Sequence, residues 1–359
     1  MKIGIITFHS AFNYGAVLQC YALQETLKGM GHRVRLIDYR PSYLQPDLSI
    51  TPHKILSLLH RNPLPSIYAR LRYLLIRSEK KKYDKTFKVF AKQFELPRDE
   101  DTLDSYDTYI FGSDQIWNSH ITHGLDPYYY GYLPFEKRDR VYVTYAASMG
   151  DVNFDEMLSD HFRKALTNFD AISVREEELQ VALQPLTDKE IKVVLDPTLL
   201  AEPKIWEHII KKPEIKEKYV FVYQVRIDKE ALRIARKIAK DIGGIVIDSR
   251  IRSKILSRKQ YSCYSPMDFL GWIKYASCVV TTSFHGTAFS VVFRKPFYSV
   301  SVGIGDLRLL SFLNKMGLQD RFIPKTSTPT FSPIDYAEAH QRLAQMRQLS
   351  MDFLRENLS

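Results

Sequence analysis

Short apolar runs alternating with longer amphipathic stretches constrain this chain more than anything else in it. Ile3–Phe8 reads as a strand, and Gly15–Met30 as a helix with Leu18, Tyr21, Ala22 and Leu27 near helical spacing. Val34–Tyr39 reads as the next strand. A β-α-β opening implies a parallel sheet with a right-handed crossover. Strand character returns at 108–111, 141–146 and 171–174, with helices expected over 154–168 and 175–183. A second alternating set starts near residue 190, with strands at 191–195, 219–225, 244–248, 278–282 and 297–301. Its helices fall at 228–241, 266–276, 286–293 and 306–316. Residues 323–333 read as a linker, and 334–356 as a last amphipathic helix.

The chain has 359 residues, enough for about two domains. The fold class is therefore α/β, with two Rossmann-like domains facing a cleft. The expected division is 1–184, 185–330 and a C-terminal helical segment 331–359. In such sheets ligands bind beyond the carboxyl ends of the strands, at helix N-termini.

Composition excludes several classes. No apolar run approaches the ~18 residues that would span a bilayer. The N-terminal run is too short for a signal peptide and reads as a buried strand. Cys20, Cys263 and Cys278 are widely separated and form no CxxC or His/Cys cluster, which points to a reducing cytosol without a zinc site or disulfide framework. Asp99-Glu100-Asp101 has DxD form but sits in a charged loop, so no metal site is expected. The formal net charge is +10, and residues 53–93 hold eleven Lys and Arg against Glu79 and Asp84, or +9 of that total. Nucleic-acid binding normally spreads positive charge over a broad face, so none is expected here. The basic helical insertion 53–95 suits a local anionic partner instead. It reads as a solvated face or, through Ile67, Leu71, Leu74 and Leu75, as a peripheral contact with the inner face of a membrane.

Chemistry concentrates at strand-to-helix junctions. In Val279-Val280-Thr281-Thr282-Ser283-Phe284-His285-Gly286-Thr287 an apolar strand ends in hydroxyls, a His and a Gly at a helix start. Free backbone N–H groups there favour an anion, Ser283 and Thr287 add donors, and Gly286 permits close approach. His285 can transfer a proton near neutral pH. The bland alternative is a capped helix with a structural His. In the first turn, Asn13 can cap a helix or face a ligand, with Gly15 beside it, and GxGxxG is missing. Gly112-Ser113-Asp114-Gln115-Ile116-Trp117-Asn118 follows another strand. Its amides, carboxylate and indole suit a sugar, or a surface turn with Trp117 pinned in the core. Arg175 and Arg226 each close a strand and read either as anion clamps or as ion-pair partners. Leu195-Asp196-Pro197-Thr198 reads as a structural turn.

Taken together, TFHSAFNYGAVLQCYALQ (7–24), FGSDQIWN (111–118), YAASMG (145–150), ISVRE (172–176), LDPTLL (195–200) and TTSFHGTAFSVVFRKPF (281–297) resemble the polysaccharide pyruvyl transferase family, in family order. The resemblance implies a glycosyltransferase-B-like arrangement whose last helix returns to the first domain. It also implies transfer of the enolpyruvyl group of phosphoenolpyruvate to two hydroxyls of one sugar, on a bacterial polysaccharide or its lipid-linked precursor. Phosphate leaves, and no cofactor or metal is needed. His285 would be the acid and Asp114 a base. Arg175, Arg226, Ser283, Gly286 and Thr287 would bind the donor. Asn13, Gly15, Ser113, Gln115, Trp117 and Asn118 would face the acceptor. Two departures stand out. Many members carry Arg two residues before the motif His, where this chain has Ser283, and N-x-G-D in the first turn, where Ala16 follows Gly15. Arg226, Arg175 and Arg294 are the expected substitutes for the lost Arg. The competing readings are a nucleotide-sugar glycosyltransferase, disfavoured because no Glu lies between Glu230 and Glu338, and a non-catalytic glycan- or anion-binding relative.

Overall fold

A computed structural model describes residues 1–44, 81–150, 152, 155–225, 228–249, 263–303 and 306–358. The strands are β1 (Lys2–Ile6), β2 (Arg33–Leu36), β3 (Thr108–Phe111), β4 (Val141–Ala147), β5 (Ala171–Val174), β6 (Ile191–Val193), β7 (Tyr219–Tyr223), β8 (Ile245–Asp248), β9 (Cys278–Thr281), β10 (Phe297–Val300) and β11 (Phe322–Ile323). They form two parallel sheets, ordered β2-β1-β3-β4-β5-β6 and β11-β10-β9-β7-β8. The helices used below are α1 (Tyr14–Gly29), α2 (Glu156–Ala165), α3 (Glu177–Leu183), α4 (Pro197–Leu200), α5 (Lys229–Asp241), α6 (Pro266–Lys274), α7 (Phe284–Val292), α8 (Asp306–Met316) and α9 (Ala337–Asn357). The expected architecture of two α/β units is what the chain adopts.

Two expectations are corrected. The strand expected at 191–195 opens no second sheet. As β6 it pairs in parallel with β5, Ile172 opposite Ile191 and Val174 opposite Val193. Helix α3 is thus the crossover of a last β-α-β unit, and such a unit keeps both strands in one sheet. The first sheet therefore extends past residue 184, to 193. The segment 323–333 also begins in structure, because Phe322–Ile323 pairs with β10 as β11. Most of the basic insertion, 45–80, lies outside the described residues, as does Arg226. Among the described residues no helix is long and apolar enough to cross a membrane.

Helix α1 explains how the two units meet. Thirteen of its sixteen residues are buried, Gln19 and Gln24 among them. A helix covered on every side belongs inside a larger body. It packs against β2, and against α4 and α6 on the far side. Tyr14 at its N-terminus stacks on Phe269 of α6, with ring centroids 4.9 Å apart, and its hydroxyl donates to the Cys263 carbonyl at 2.8 Å. One apolar cluster accordingly runs from β1 through α1 to β7 and β9. Helix α9 closes the arrangement. It packs on α8 of the second unit and returns to the first, where Phe353 meets Tyr145 of β4 and the Ser350 hydroxyl accepts from the Leu195 N–H at 2.9 Å.

Candidate functional site

The loops leaving β1, β3 and β4 meet the loops leaving β7 and β9 around a cavity of about 810 Å³. This is the carboxyl edge of both sheets, where parallel α/β folds place their ligands. Asn13, Asp114, Gln115 and Asn118 reach it from the first unit, and Ser283, His285 and Arg308 from the second.

His285 stands in the first turn of α7 with 9% of its surface exposed. Its Nε2 lies 3.6 Å from Oδ2 of Asp196. That exceeds a hydrogen-bond length, so the two groups face each other without one. The other edge of the ring rests on the backbone of α1: a Cβ on Gly15 would fall 2.0 Å from Nδ1. Only a glycine at position 15 lets the imidazole lie there. Asp196 caps α4, its Oδ1 accepting from the Thr198 N–H at 2.9 Å and from the Thr198 hydroxyl at 2.6 Å. Burial alone would raise the Asp196 carboxyl, but His285 and then Arg175 outweigh it and hold it well below the usual carboxylate range.

Beside this pair lies a buried ionic cluster. Arg175 donates through Nη1 to Asp196 at 2.7 Å, through Nε to Glu176 at 3.0 Å and through Nη2 to the Ser148 hydroxyl at 2.9 Å. Ser148 in turn donates to Glu176 at 2.7 Å. Arg308, on the first turn of α8, comes within 3.9 Å of Glu176 through Nη1. Both guanidinium carbons lie over the Phe284 ring, at 5.0 Å for Arg175 and 5.6 Å for Arg308. Burial, then the neighbouring Arg175, lower the pKa of Arg308 from its ordinary value.

Several residues expected at the site do other work. Ser113 is fully buried and donates to the Ala146 carbonyl at 3.0 Å. Trp117 is fully buried too, its indole donating to the Tyr129 carbonyl at 2.9 Å amid Tyr130, Phe162 and Phe169. A ring that large contributes more to a core than to a rim. Thr287 is buried, and its hydroxyl bonds the Ser283 carbonyl and Ser299 rather than the cavity. Gly286 serves packing: a Cβ there would lie 2.2 Å from the Thr281 hydroxyl under α7. Arg175 has all three guanidinium nitrogens engaged, so its ion-pair reading holds. Arg294 sits past the far end of α7 and donates to His340 at 3.3 Å.

Gly15 lies under the His285 ring and does not line the cavity, whereas Asn13, Asp114, Gln115, Asn118, Ser283 and His285 do. Asn13 caps α1, its side chain accepting from the Gly15 and Ala16 N–H groups, and still lines the opening. Asp114 has φ of 71° and accepts from the Gln115 N–H at 2.9 Å. Asn118 donates to Gln115 at 2.7 Å and caps the short helix Ser119–Thr122. Ser283 precedes α7 without a side-chain cap bond to it, leaving the first amides of α7 uncovered by a capping hydroxyl. Two site residues escaped the sequence. Asp196 reads there as an ordinary Asp-Pro turn, although its place directly after a strand was a usable signal. Arg308 lies twenty-three residues after the motif His, beyond any local pattern.

The cleft between the two parallel α/β sheets is thus lined by Ser283, His285 and Arg308 on one side and by amides and a carboxylate, Asn13, Asp114, Gln115 and Asn118, on the other. The chain matches the family model of polysaccharide pyruvyl transferase over residues 13–303 and belongs to that transferase family. No curated protein matches it. Solved structures similar to it include S. aureus MnaA with UDP, 12% identical, covering 99% of this chain and 89% of that one, with a TM-score of 0.48. Another is the UDP-N-acetylglucosamine 2-epimerase of Methanocaldococcus jannaschii, 13% identical over 97% and 93%, with a TM-score of 0.44. A third is UGT89C1 of Arabidopsis thaliana with UDP-L-rhamnose, 12% identical over 99% and 93%, with a TM-score of 0.42.

Proposed function

We propose that this protein moves the enolpyruvyl group of phosphoenolpyruvate onto two hydroxyls of one sugar unit, forming a cyclic ketal and releasing phosphate. The observation that carries this reading is the opposition, across one cavity, of His285 and a wall of Asn13, Asp114, Gln115 and Asn118. A proton from His285 to the donor's methylene carbon makes a methyl group and leaves C2 electrophilic. One sugar hydroxyl attacks C2, and a second closes the ring as the C2–O bond to phosphate breaks. One hydroxyl proton replaces the proton spent by His285, and the other leaves with phosphate. An acid placed in this way contributes about 10²–10⁴ in rate.

Asp196 faces the ring at Nε2, and Gly15 lets the other edge lie against α1, so the imidazole is held in one place on the cavity's wall. The uncapped amides at the start of α7 suit an anionic end of the donor. In this reading Asp114 takes a proton from an attacking hydroxyl, while Gln115 and Asn118 bind the sugar's remaining hydroxyls; all three line the cavity. For the nucleotide-sugar alternative, Asp306 is the acid of the second unit that could stand in for the missing Glu at a ribose. Asp306 spends its oxygens on the Ser301 hydroxyl and on the Val302 and Gly303 N–H groups.

The test is to incubate the protein with phosphoenolpyruvate and candidate glycans, then follow phosphate release and the product's mass. Acceptor-dependent phosphate release with a ketal-bearing product is expected. Nucleoside diphosphate release with a glycosylated product, from nucleotide sugars alone, would replace this reading with glycosyl transfer.

A further inference from the structure

Arg308 has a feature that its ion-pair geometry does not explain. Its Nε and Nη1 are buried and have no hydrogen-bond partner among the described residues. Its nearest acid, Glu176, stands 3.9 Å away and already accepts from Ser148 and Arg175. A buried guanidinium with unmade hydrogen bonds carries a standing desolvation cost, and such a group is relieved by an oxyanion. Arg308 lines the same cavity as His285 and Ser283, and its guanidinium lies over the ring of Phe284, the residue immediately before His285.

We infer that Arg308, from α8, supplies the guanidinium that grips an oxyanion of the donor, in place of the Arg missing at position 283. The charge reaches the same cavity from a different helix, so its absence from the motif does not empty the site of positive charge. Arg175 stays behind as the fixed partner of Asp196, while Arg308 has donors left to give. Planar, forked recognition of this kind suits phosphate and carboxylate equally. This inference rests on the pyruvyl-transfer reading for the identity of the donor.

Titration calorimetry of phosphoenolpyruvate against wild type and Arg308→Gln tests it, with inorganic phosphate and pyruvate as competing ligands. The loss expected of one charge-assisted anion clamp is about 10- to 100-fold in donor affinity. Weaker phosphate competition in the variant assigns Arg308 to the phosphate, and weaker pyruvate competition assigns it to the carboxylate. Arg308→Lys, which keeps the charge but not the fork, should fall between the two, and it serves if the Gln variant does not fold. Wild-type affinity in both variants, with turnover intact, overturns the role of Arg308 and leaves the transferase reading standing. A wild-type protein that binds no phosphoenolpyruvate overturns both.

Discussion

His285 has two neighbours that fix what it can do, and neither is a ligand. Asp196 holds the Nε2 side at 3.6 Å, and Gly15 leaves room for the Nδ1 side. Gly15→Ala would place a methyl group 2.0 Å from Nδ1. The imidazole must then shift, and misplacing a catalytic group by about 1 Å costs roughly 100-fold in rate. The expected result is a fall in kcat of that order with an unchanged far-UV circular dichroism spectrum. Asp196→Asn removes the carboxylate charge that faces Nε2 at 3.6 Å, and kcat should fall, whereas a purely structural Asp196 would lower the thermal midpoint and leave kcat per folded molecule intact. The motif reading picked out His285, Asp114 and Asn13, which line the cavity, because each lies in the loop or helix start after an apolar strand. It missed Asp196 because Asp followed by Pro also reads as an ordinary helix cap. Its place after a strand marked it for attention, but only the fold shows that the cap's second oxygen faces a histidine.

At the scale of the element, strands and helices were legible wherever hydrophobic period decided them. Thr108–Phe111 and Ala171–Val174 fall where expected, and Lys229–Asp241 begins one residue later. Sheet membership was less legible. Residues 191–193 look like any short strand, and only the pairing of Ile191 with Ile172 assigns them to the first sheet. Helix α7 shows why motif residues mislead. His285, Gly286 and Thr287 look alike on paper, but a helix turns by ~100° per residue, so His285 meets the cavity while Thr287 meets β10 through Ser299. Gly286→Ala should lift α7 from β9 and lower stability, measurable as a drop in thermal midpoint, because its Cβ would collide with Thr281. Trp117→Ala should cost about 3–5 kcal/mol in denaturant unfolding, as expected for emptying a core site. A ligand-stacking Trp117 would instead lose acceptor affinity and little stability.

Across the whole molecule, an ionic seam ties the two units at the cavity's edge. Arg308 approaches Glu176, and Lys315 meets Glu177 at 2.8 Å, second unit to first in both cases. Asp196 lies at the seam's centre, bound to Arg175 and facing His285. Its folded-state pKa is depressed, so the stability it contributes is fully present above the unfolded value of about 4 and is lost as pH falls toward the folded value. Breaking a buried pair by removing one partner costs about 3–5 kcal/mol. Wild type should therefore exceed Asp196→Asn by about that amount at neutral pH, with the gap narrowing below about pH 4. A gap independent of pH would mean the carboxylate's charge is not what stabilises the seam.

All of this converges on one location for the donor. A crystal of the protein soaked with phosphoenolpyruvate should show the ligand beside residues 283–287, with an oxyanion at Arg308 and the methylene carbon within reach of the His285 ring. Density anywhere outside the space between the two sheets, or a His285 ring that no bound donor can reach, would contradict the account.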